Sequence, residues 1–490
     1  MFYGNSPQYL AIVAEVLDLA ATGGVHPVAL GVSPVMLGLG DEYNRGALRA
    51  SRRQSPDADY SRILSDRGVE VLGVNDFPVA GVIDADILER LRETTRGALI
   101  SYARDPLPKT TRGHYARIDK RMLAASLAVF HAVSGLLAQR TDISRVYVLN
   151  GRFPYQRAVI EAAEQFGREV WHYEKGEKPD TYWLADHSTL DRTATQSSVD
   201  AVLASHTSVD ALKLGTAWMN RRSSRGSSTN IYSRFFADNE QSESADRKRK
   251  LVGIFTSSQD EFAALGPEWH VEEWADQWAA YEHVLSRLAD SDYDFYLRVH
   301  PNFATKSHAS FVREGANLRA LQARHPSLRI YWHDEVVNSY ALVAESDAVI
   351  VWDSTIGLEA SGRGIPVWEL AASYYDLYTD VHSWFGPSSG PEFDSLEFKV
   401  DPERAQRFMA YLDVREPDLS AASVALRESL SPSPGIGLTL TNLASSGGAP
   451  TVIVAMRSIA DATRHRRSAI NRIAVRSFLS RVAESHHRSP

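Results

Sequence analysis

The chain has 490 residues, of which 44% are hydrophobic and 23% charged, a composition typical of a folded protein that is long enough for two domains. Its formal charge of −8 at pH 7 argues against a nucleic-acid partner held by overall positive charge. The absence of cysteine excludes disulfides and thiolate metal sites, but it does not indicate a cellular compartment.

The N-terminal stretch lacks the features of a signal peptide. No basic segment precedes an apolar one there, and Glu15 and Asp18 interrupt the first apolar run. No part of the sequence approaches the roughly 20 consecutive apolar residues that a membrane-spanning helix needs. We therefore expect a cytoplasmic protein.

Alternating helix and strand patterns predict a Rossmann-like N-terminal domain over 1–220. A polar stretch at 40–60 is predicted to be a loop. The longest helical pattern, at 114–140, places its apolar residues on one face, which we predict to be core. The predicted elements are helices at 8–21, 85–102, 114–140 and 155–166, with strands at 27–32, 68–74, 146–149 and 169–173.

Polar residues follow the last two predicted strands of this half. Asn150 and Arg152 flank a glycine after one strand, and Glu174 and Lys175 follow the next. Because the carboxyl ends of parallel strands meet at one edge, where such folds bind ligands, we predict that these side chains face a ligand. The alternative is a plain Asn-Gly turn and a solvated glutamate.

Between 221 and 250 the composition shifts to serine, arginine, aspartate and lysine. We interpret this segment as a connection between domains, and its basic run as a solvated edge instead of a nucleic-acid site. A second Rossmann-like domain is predicted over 251–430. Its predicted elements are strands at 251–255, 295–300, 328–332, 348–352 and 366–368, with helices at 274–289, 311–324, 338–346 and 356–361.

The stretch from 346 to 370 is predicted to form a strand, a tight loop, a helix and a second strand, and it carries the main candidate site of the second half. An apolar strand pattern is interrupted by Asp353, Ser354 and Thr355, which we expect to cap the helix that follows. A helix that begins in this way after a parallel strand offers N–H groups, hydroxyls and a positive dipole end to a phosphate. The alternative is an ordinary helix cap with no ligand.

Two further segments reach the same edge of the predicted sheet. Arg298 and His300 lie near the carboxyl end of one strand, and Ser257 and Ser258 follow another. An imidazole, a guanidinium and hydroxyls that face the helix start form a pocket suited to a nucleotide monophosphate or diphosphate. A lone His-Pro is a weak signal, so the prediction depends on the combination.

Four sets of residues together resemble motifs of bacterial capsule and surface-polysaccharide biosynthesis proteins. They are Asn-Gly-Arg with a following Glu-x-Gly, Phe-x-Ser-Ser, Arg-x-His-Pro, and Asp-Ser-Thr-x-Gly-x-Glu-Ala-x-x-x-Gly-x-Pro-Val, and they lie between 146 and 370. The resemblance implies a glycosyltransferase of the GT-B type, in which two Rossmann-like domains face each other. It is similar in this respect to Kdo-transferase-like and sialyltransferase-like enzymes.

The resemblance also implies roles for individual residues. His300, Pro301, Ser354 and Thr355 match the His-Pro and Ser/Thr pair with which those enzymes hold the nucleotide and phosphate of a CMP-sugar. By the same resemblance His300 is catalytic, and Glu174 is the general base, in an acidic-glycine motif that it matches loosely. The predicted set is Ser257, Ser258, Arg298, His300, Pro301, Ser354, Thr355 and Glu359 on the donor side, with Asn150, Arg152 and Lys175 on the acceptor side.

The predicted function is transfer of a sugar from a nucleotide-sugar, with a CMP-sugar favoured and a UDP-sugar as the alternative, to a cell-surface glycan or lipid-linked glycan. No cofactor and no protein-bound metal are expected. Three other functions share these sequence features. They are a UDP-sugar 2-epimerase, a CDP-alcohol polyol-phosphate transferase of teichoic-acid type, and a non-catalytic protein that binds nucleotide-sugars.

The segment 431–490 departs in composition from the rest of the chain. A Ser/Gly/Pro-rich tether at 431–450 precedes a basic segment with eight arginines and two acidic residues. Apolar residues between 475 and 482 lie at helical spacing and predict an amphipathic helix. Either this helix packs on the protein or on a second subunit, or it docks on the anionic surface of the inner membrane leaflet.

Overall fold

The computed structural model describes residues 7–31, 62–73, 76–77, 83–189, 191–224, 248–262, 265, 269–391 and 395–430. Helices and strands alternate along these residues, and the predicted α/β class is confirmed. The predicted loop at 40–60, most of the predicted connection at 221–250 and the whole segment 431–490 lie outside the described residues. The amphipathic helix and its membrane or subunit contact therefore stay predictions.

The strands are numbered in chain order. They are β1 (Val28–Gly31), β2 (Glu70–Gly73), β3 (Arg145–Leu149), β4 (Glu169–Lys175), β5 (Tyr182–Ala185), β6 (Lys250–Phe255), β7 (Tyr293–Arg298), β8 (Arg329–Tyr331), β9 (Ala348–Val351), β10 (Val367–Glu369) and β11 (His382–Ser383).

The α-helices are numbered in the same way, and two short 3-10 helices cover Pro301–Thr305 and Asp376–Tyr378. The α-helices are α1 (Pro7–Thr22), α2 (Ala85–Ala103), α3 (His114–Gln139), α4 (Pro154–Gln165), α5 (Arg192–Ala204), α6 (Ser208–Ser223), α7 (Gln259–Phe262), α8 (Gln277–Arg287), α9 (His308–Arg324), α10 (Ser339–Ala344), α11 (Thr355–Ser361), α12 (Pro402–Val414) and α13 (Ala421–Leu430).

The second half is built on a six-stranded parallel sheet with the order β11-β10-β9-β6-β7-β8. All four residues of β9 are buried, as expected for a parallel strand that is covered on both faces. Ile254 and Ile350 belong to the hydrophobic cluster on one face, and Val349 and Val351 belong to the cluster on the other. The sheet is therefore the central layer of three, with helices on both sides.

The first half is also α/β. Strands β1 and β2 pair in parallel, and β3 to β5 form a three-stranded sheet. Val148 of β3 joins a cluster with α2, α3 and α4, whereas Leu149 joins a cluster with α1. Neighbouring residues of one strand thus enter two opposite cores, as in a Rossmann-like half.

Helix α3 departs from one expectation, since the sequence was predicted to hold no stretch suited to a membrane span. Among the described residues, α3 is the one helix that is long and apolar enough to cross a membrane by length and composition. In its most apolar window, however, 61% is buried inside the protein. Phe130 and Val133 of α3 pack in the same cluster as α2 and α4. Core helices of soluble proteins pass the same test, and the burial of α3 is that of a core helix.

Every predicted element that falls on described residues is present within three residues of its predicted bounds. The prediction missed β5, α5, α6, α7, β11, α12 and α13.

Helix α6 packs on α12, and α13 packs on α1 of the first half. The backbone nitrogen of Ser420, just before α13, donates to Glu15 Oε2 of α1 at 3.0 Å. The end of the described chain thus returns to the first half, although it lies in the predicted 251–430 domain.

Gly357 in α11 is held against Tyr375. A Cβ atom added to Gly357 would lie 2.2 Å from the Tyr375 hydroxyl. Tyr375 is fully buried and donates to the Ser354 carbonyl at 2.6 Å, so it has little room to move. Gly315 in α9 offers a matched contrast, because the nearest atom to its added Cβ is in the Arg319 guanidinium at 3.5 Å.

We expect Gly357→Ala to destabilise the protein by about 1–3 kcal/mol, the usual cost of overpacking. Gly315→Ala should leave stability unchanged or raise it by up to about 1 kcal/mol, because alanine favours a helix interior. Urea unfolding of both variants measures the difference. Since helix propensity favours alanine at both positions, an equal gain in both would contradict the close contact at Gly357.

Glu369 ends β10 and is fully buried. Burial, reinforced by the charge of Asp376, raises the pKa of its carboxyl from the ordinary 4.5 to about 8, although the Ser373 and Tyr375 hydroxyls and Arg192 act in the opposite direction. The folded protein therefore holds this proton more tightly than the unfolded chain does. The free energy of unfolding should fall as the pH rises from about 4.5 to about 8, and level off above that range.

We expect Glu369→Gln, which has no charge to bury, to remove this part of the pH dependence. Its midpoint of thermal unfolding should exceed that of the wild type near pH 8, and the gap should close towards pH 5. Glu89→Gln is the control, because the Glu89 side chain is 60% exposed. A Glu369→Gln variant with the pH dependence of the wild type would show that Glu369 is not buried as a neutral acid.

Candidate functional site

A cavity of about 290 Å³ opens at the carboxyl edge of the six-stranded sheet. We call it the hydroxyl cavity, because serine, threonine and tyrosine side chains form much of its wall. All of the residues predicted on the donor side line it, namely Ser257, Ser258, Arg298, His300, Pro301, Ser354, Thr355 and Glu359. They belong to segments at or after the ends of β6, β7 and β9. The fold thus brings these residues together, while their roles in binding a donor stay predictions.

His300 is held as a neutral ring. Its Nδ1 accepts a hydrogen bond from the backbone nitrogen of Asn302 at 3.1 Å, and its own backbone nitrogen donates to Thr256 Oγ1 at 2.9 Å. Burial, together with the positive charge of Lys306, lowers the pKa of the imidazole to about 4. At neutral pH the ring is therefore uncharged and carries its proton on Nε2.

Arg298 is buried and bonded to the backbone, whereas an arginine that binds a phosphate directly needs an accessible guanidinium. It is 4% exposed, and its guanidinium donates to the backbone carbonyls of Trp332 and Glu335, the latter at 3.3 Å. Burial lowers the pKa of the Arg298 guanidinium. These bonds fix the segment after β8, and the predicted contact of Arg298 with a donor stays a prediction.

Several predicted hydroxyls have partners within the protein. Ser354 is the N-cap of α11, and its Oγ accepts from the backbone nitrogen of Ile356 at 3.4 Å. Ser258 Oγ donates to Asp260 Oδ1 at 3.0 Å. The cap interpretation is therefore confirmed for Ser354. Its contact with a phosphate stays a prediction, and α11 is only seven residues long, so its dipole is that of two turns.

Asp353 differs from its predicted role, because the cap belongs to Ser354 alone. Asp353 is 4% exposed and lines the hydroxyl cavity. Burial raises the pKa of the Asp353 carboxyl well above its usual range, while the Ser257 hydroxyl opposes the shift and nearby carboxylates reinforce it. Burial therefore favours the protonated form of Asp353, and that form can donate a hydrogen bond.

Sequence reasoning missed Arg222, which it placed in the solvated connection. Arg222 lies near the end of α6 with its side chain 19% exposed, and it lines the hydroxyl cavity. Its Nε donates to Glu359 Oε1 at 2.9 Å, and its Nη1 pairs with Glu177, which follows β4. Burial opposes its charge, but the carboxylates of Glu359 and Glu177 raise the pKa of Arg222. Arg222 thus joins the two halves at the cavity. The serine-rich sequence after it concealed the end of α6.

A second junction lies at the segment 257–262. Arg152, predicted on the acceptor side, donates from Nη2 to the backbone carbonyl of Glu261 at 2.5 Å. Arg104, just after α2, pairs with Asp260 at 3.3 Å and with Glu261 at 2.9 Å. The first half therefore contacts the same segment that carries Ser257 and Ser258 into the cavity.

Glu174, the predicted general base, is not among the described residues that line the hydroxyl cavity. Its Oε1 accepts from the Tyr9 hydroxyl at 2.5 Å and from the backbone nitrogen of Lys175 at 2.8 Å. Its Oε2 accepts from Asn150 Nδ2 at 2.7 Å. The carboxylate is thus firmly positioned, but at a separate place from the cavity. Neither Asn150 nor Lys175 lines that cavity, so the base and acceptor assignments stay predictions.

A metal site would require several histidine, aspartate or glutamate side chains close together in the part of the chain that the structure describes. There, no group of three or more histidine, aspartate or glutamate side chains is arranged to hold a metal ion. Asp-x-Asp sequences do occur in the second half, at 290–294. They meet the amino end of β7, which is the edge of the sheet opposite the cavity. The expected independence of metal stays a prediction.

Comparison with known proteins gives only distant matches. No protein-family model and no curated protein matches the chain. KpsC of Thermosulfurimonas dismutans, a β-Kdo 2,4-transferase, is 12% identical over 59% of this chain and 88% of its own, with a TM-score of 0.37.

Two other solved structures are similar at the same level. MnaA of S. aureus, in a structure with UDP, is 13% identical over 70% of this chain and 78% of its own, with a TM-score of 0.24. UDP-GlcNAc 2-epimerase of Neisseria meningitidis, bound to UDP-GlcNAc, is 12% identical over 74% of this chain and 80% of its own, with a TM-score of 0.23. Likenesses this distant support no inference about substrate, so the functional argument rests on the site.

Proposed function

We propose that this chain is a glycosyltransferase that moves a sugar from a nucleotide-sugar to a glycan or lipid-linked glycan. One observation carries the proposal. Residues from three separate segments, all expected to hold a donor, line one cavity at the carboxyl edge of a parallel sheet. Folds of this class bind nucleotides at that edge, and the cavity also meets the junction with the first half.

The proposed chemistry requires stabilisation of the nucleotide phosphate as its bond to the sugar breaks. A neutral His300, with its pKa lowered to about 4, donates from Nε2 throughout the neutral range. The hydroxyl of Thr355 adds a donor, the carboxyl of Asp353 adds another in the protonated form that its burial favours, and Arg298 adds positive charge. Donors fixed in a water-poor site stabilise developing charge without reorganisation. Glu174 is the proposed base that takes the proton of the acceptor hydroxyl.

The sequence motifs favour a CMP-sugar as donor. The competing functions would use the same cavity and differ in ligand and product. A CDP-alcohol transferase would prefer CDP-glycerol to any nucleotide-sugar, and a UDP-sugar 2-epimerase would convert its ligand without an acceptor. A binding protein would hold a nucleotide-sugar without turnover.

A panel of CMP, UDP, GDP and CDP tests the proposal. We expect at least one of them to raise the thermal unfolding midpoint in proportion to its occupancy, because a ligand that binds only the folded state stabilises it. Nucleotide-sugars that carry the same base are then tested for turnover with glycan acceptors. A protein that binds none of these nucleotides and none of their sugar derivatives would contradict the proposed function.

We expect His300→Asn to weaken binding of the preferred nucleotide by roughly 10- to 100-fold, the worth of one hydrogen bond to a charged group. Asparagine retains an acceptor for the backbone nitrogen of Asn302 but lacks the Nε2–H donor. The double variant Ser354→Ala, Thr355→Ala should also weaken binding. His308→Asn, at an exposed position on α9, is the matched control. Wild-type affinity in His300→Asn would remove His300 from the site.

Glu174→Gln should leave nucleotide affinity unchanged, because Glu174 does not line the cavity. Turnover, measured as nucleotide released in the presence of acceptor, should fall by roughly 10²- to 10⁴-fold if Glu174 is the base. Glu177→Gln is the contrasting variant and should weaken nucleotide binding, since Glu177 holds Arg222. Full turnover in Glu174→Gln would instead direct the search for the base to Asp180 or Asp186.

A further inference from the structure

A second cavity, of about 240 Å³, adjoins the hydroxyl cavity. The two share Phe262 and Asp353 as lining residues. We call the second one the tryptophan cavity, because four indole rings line it. These belong to Trp269, Trp274, Trp278 and Trp352.

The charged groups of the tryptophan cavity are mostly acidic. Carboxyl side chains of Glu272, Asp276, Glu314 and Asp353 line it, with the guanidinium of Arg313 and the imidazole of His270. That guanidinium is already paired outside the cavity, because its Nη2 lies 2.6 Å from Asp105 Oδ1. Glu314 is paired with Lys306 at 3.3 Å. The hydroxyl cavity has a more balanced wall, because the guanidinium groups of Arg222 and Arg298 line it together with the carboxyl groups of Glu261, Asp353 and Glu359.

Two carboxyl oxygens in this wall lack an expected contact. Asp353 Oδ1 and Glu272 Oε2 are buried without a hydrogen-bond partner among the described residues. Buried polar atoms are almost always paired, so each one is a place where a ligand group fits. Aromatic faces and carboxyl groups together suit a sugar ring, because the indoles cover its C–H faces and the carboxyls pair with its hydroxyls.

We propose that the tryptophan cavity holds the sugar ring of the donor, and that this sugar carries no carboxylate. The proposal rests on the proposed function and narrows its substrate. A nucleotide-sugar has a phosphate part and a ring part joined by one bond, and two cavities that share Asp353 match those two parts. A wall of carboxyl groups without an unpaired cation would repel an acidic sugar, whereas it accepts a neutral hexose or an amino sugar.

The identity of the nucleotide and the identity of the sugar are therefore indicated by different features of the protein. The sequence motifs favour CMP, but the CMP-linked donors suggested by the resemblance, Kdo and sialic acid, carry a carboxylate. The lining of the tryptophan cavity favours a hexose donor linked to another nucleotide. The acidic sugar and the neutral sugar are thus the two outcomes that a binding experiment distinguishes.

The experiment compares each nucleotide-sugar with its own free nucleotide by calorimetry, so that any preference for the base cancels. The pairs are UDP-glucose with UDP, GDP-mannose with GDP, and CMP-N-acetylneuraminate with CMP. We expect a neutral sugar to strengthen binding by about tenfold over its nucleotide, as for one well-placed polar contact. The N-acetylneuraminate should weaken binding relative to CMP.

Two variants locate the sugar. Trp278→Leu, at a half-buried indole, should abolish the gain from the neutral sugar while it leaves the affinity for the free nucleotide unchanged. Glu272→Gln, which keeps the shape of the side chain, should reduce the penalty against N-acetylneuraminate. Trp171→Leu, at a half-buried tryptophan of the first half, is the control and should change neither ratio.

Each other outcome overturns the inference in a recognisable way. If a nucleotide binds but no neutral sugar adds affinity, or if the N-acetylneuraminate adds affinity, the assignment of the sugar is wrong while the proposed function stands. If a sugar effect is present but Trp278→Leu and Glu272→Gln leave it intact, the cavity is wrong. If a free saccharide binds without nucleotide and depends on Trp278, the cavity belongs to the acceptor. If no nucleotide binds, the proposed function and the inference fall together.

Discussion

The parallel register of the six-stranded sheet is the constraint on which the site depends. Because β6, β7 and β9 run in the same direction, the segments that follow them emerge at one edge, although they are far apart in the sequence. Both cavities lie at this edge, and each is lined by residues from those segments. The helices on the two faces hold the strands in place, and several of them add side chains to the wall, such as Trp278 of α8 and Arg222 of α6. The chemistry is thus concentrated where the sheet ends.

Burial sets the charge state of this edge. Burial lowers the pKa of His300 to about 4 and raises the pKa of Asp353, because the charged form of each group is less stable away from water. Arg222 is charged in a similar setting, and the carboxylates of Glu359 and Glu177 beside it offset the cost of its burial. The cavity therefore presents hydrogen-bond donors with little net charge. In the proposed reaction, such a site would stabilise the charge that the phosphate gains in the transition state without binding every anion tightly.

The sequence predicted most strands and most helices of the two halves, since buried parallel strands such as β9 are continuous apolar runs bounded by polar residues. It also brought the donor-side residues to one edge, because that placement follows from strand direction alone. It missed Arg222 and α6 because a helix end followed by serine and arginine has the composition of a linker. The sequence predicted a capping role for Asp353, because the three polar residues after the strand are equally plausible caps. Only the structure shows that Ser354 is the cap and that Asp353 is buried. The tryptophan cavity could not be predicted from the sequence, because its four tryptophans lie in segments that share no motif.

The return of α13 to α1 has a consequence for how the protein forms during synthesis. Ser420 and Glu15 are separated by 405 positions in the chain, so the first core includes residues that are synthesised only after the strands of the second half. Leu419 lies in the same hydrophobic cluster as Leu10 and Ile12. Until that segment has been made, one face of the first half lacks part of its cover, and the nascent chain exposes apolar surface of the kind that chaperones bind. Long-range closure of this type slows folding, and it makes completion of the first half depend on completion of the second.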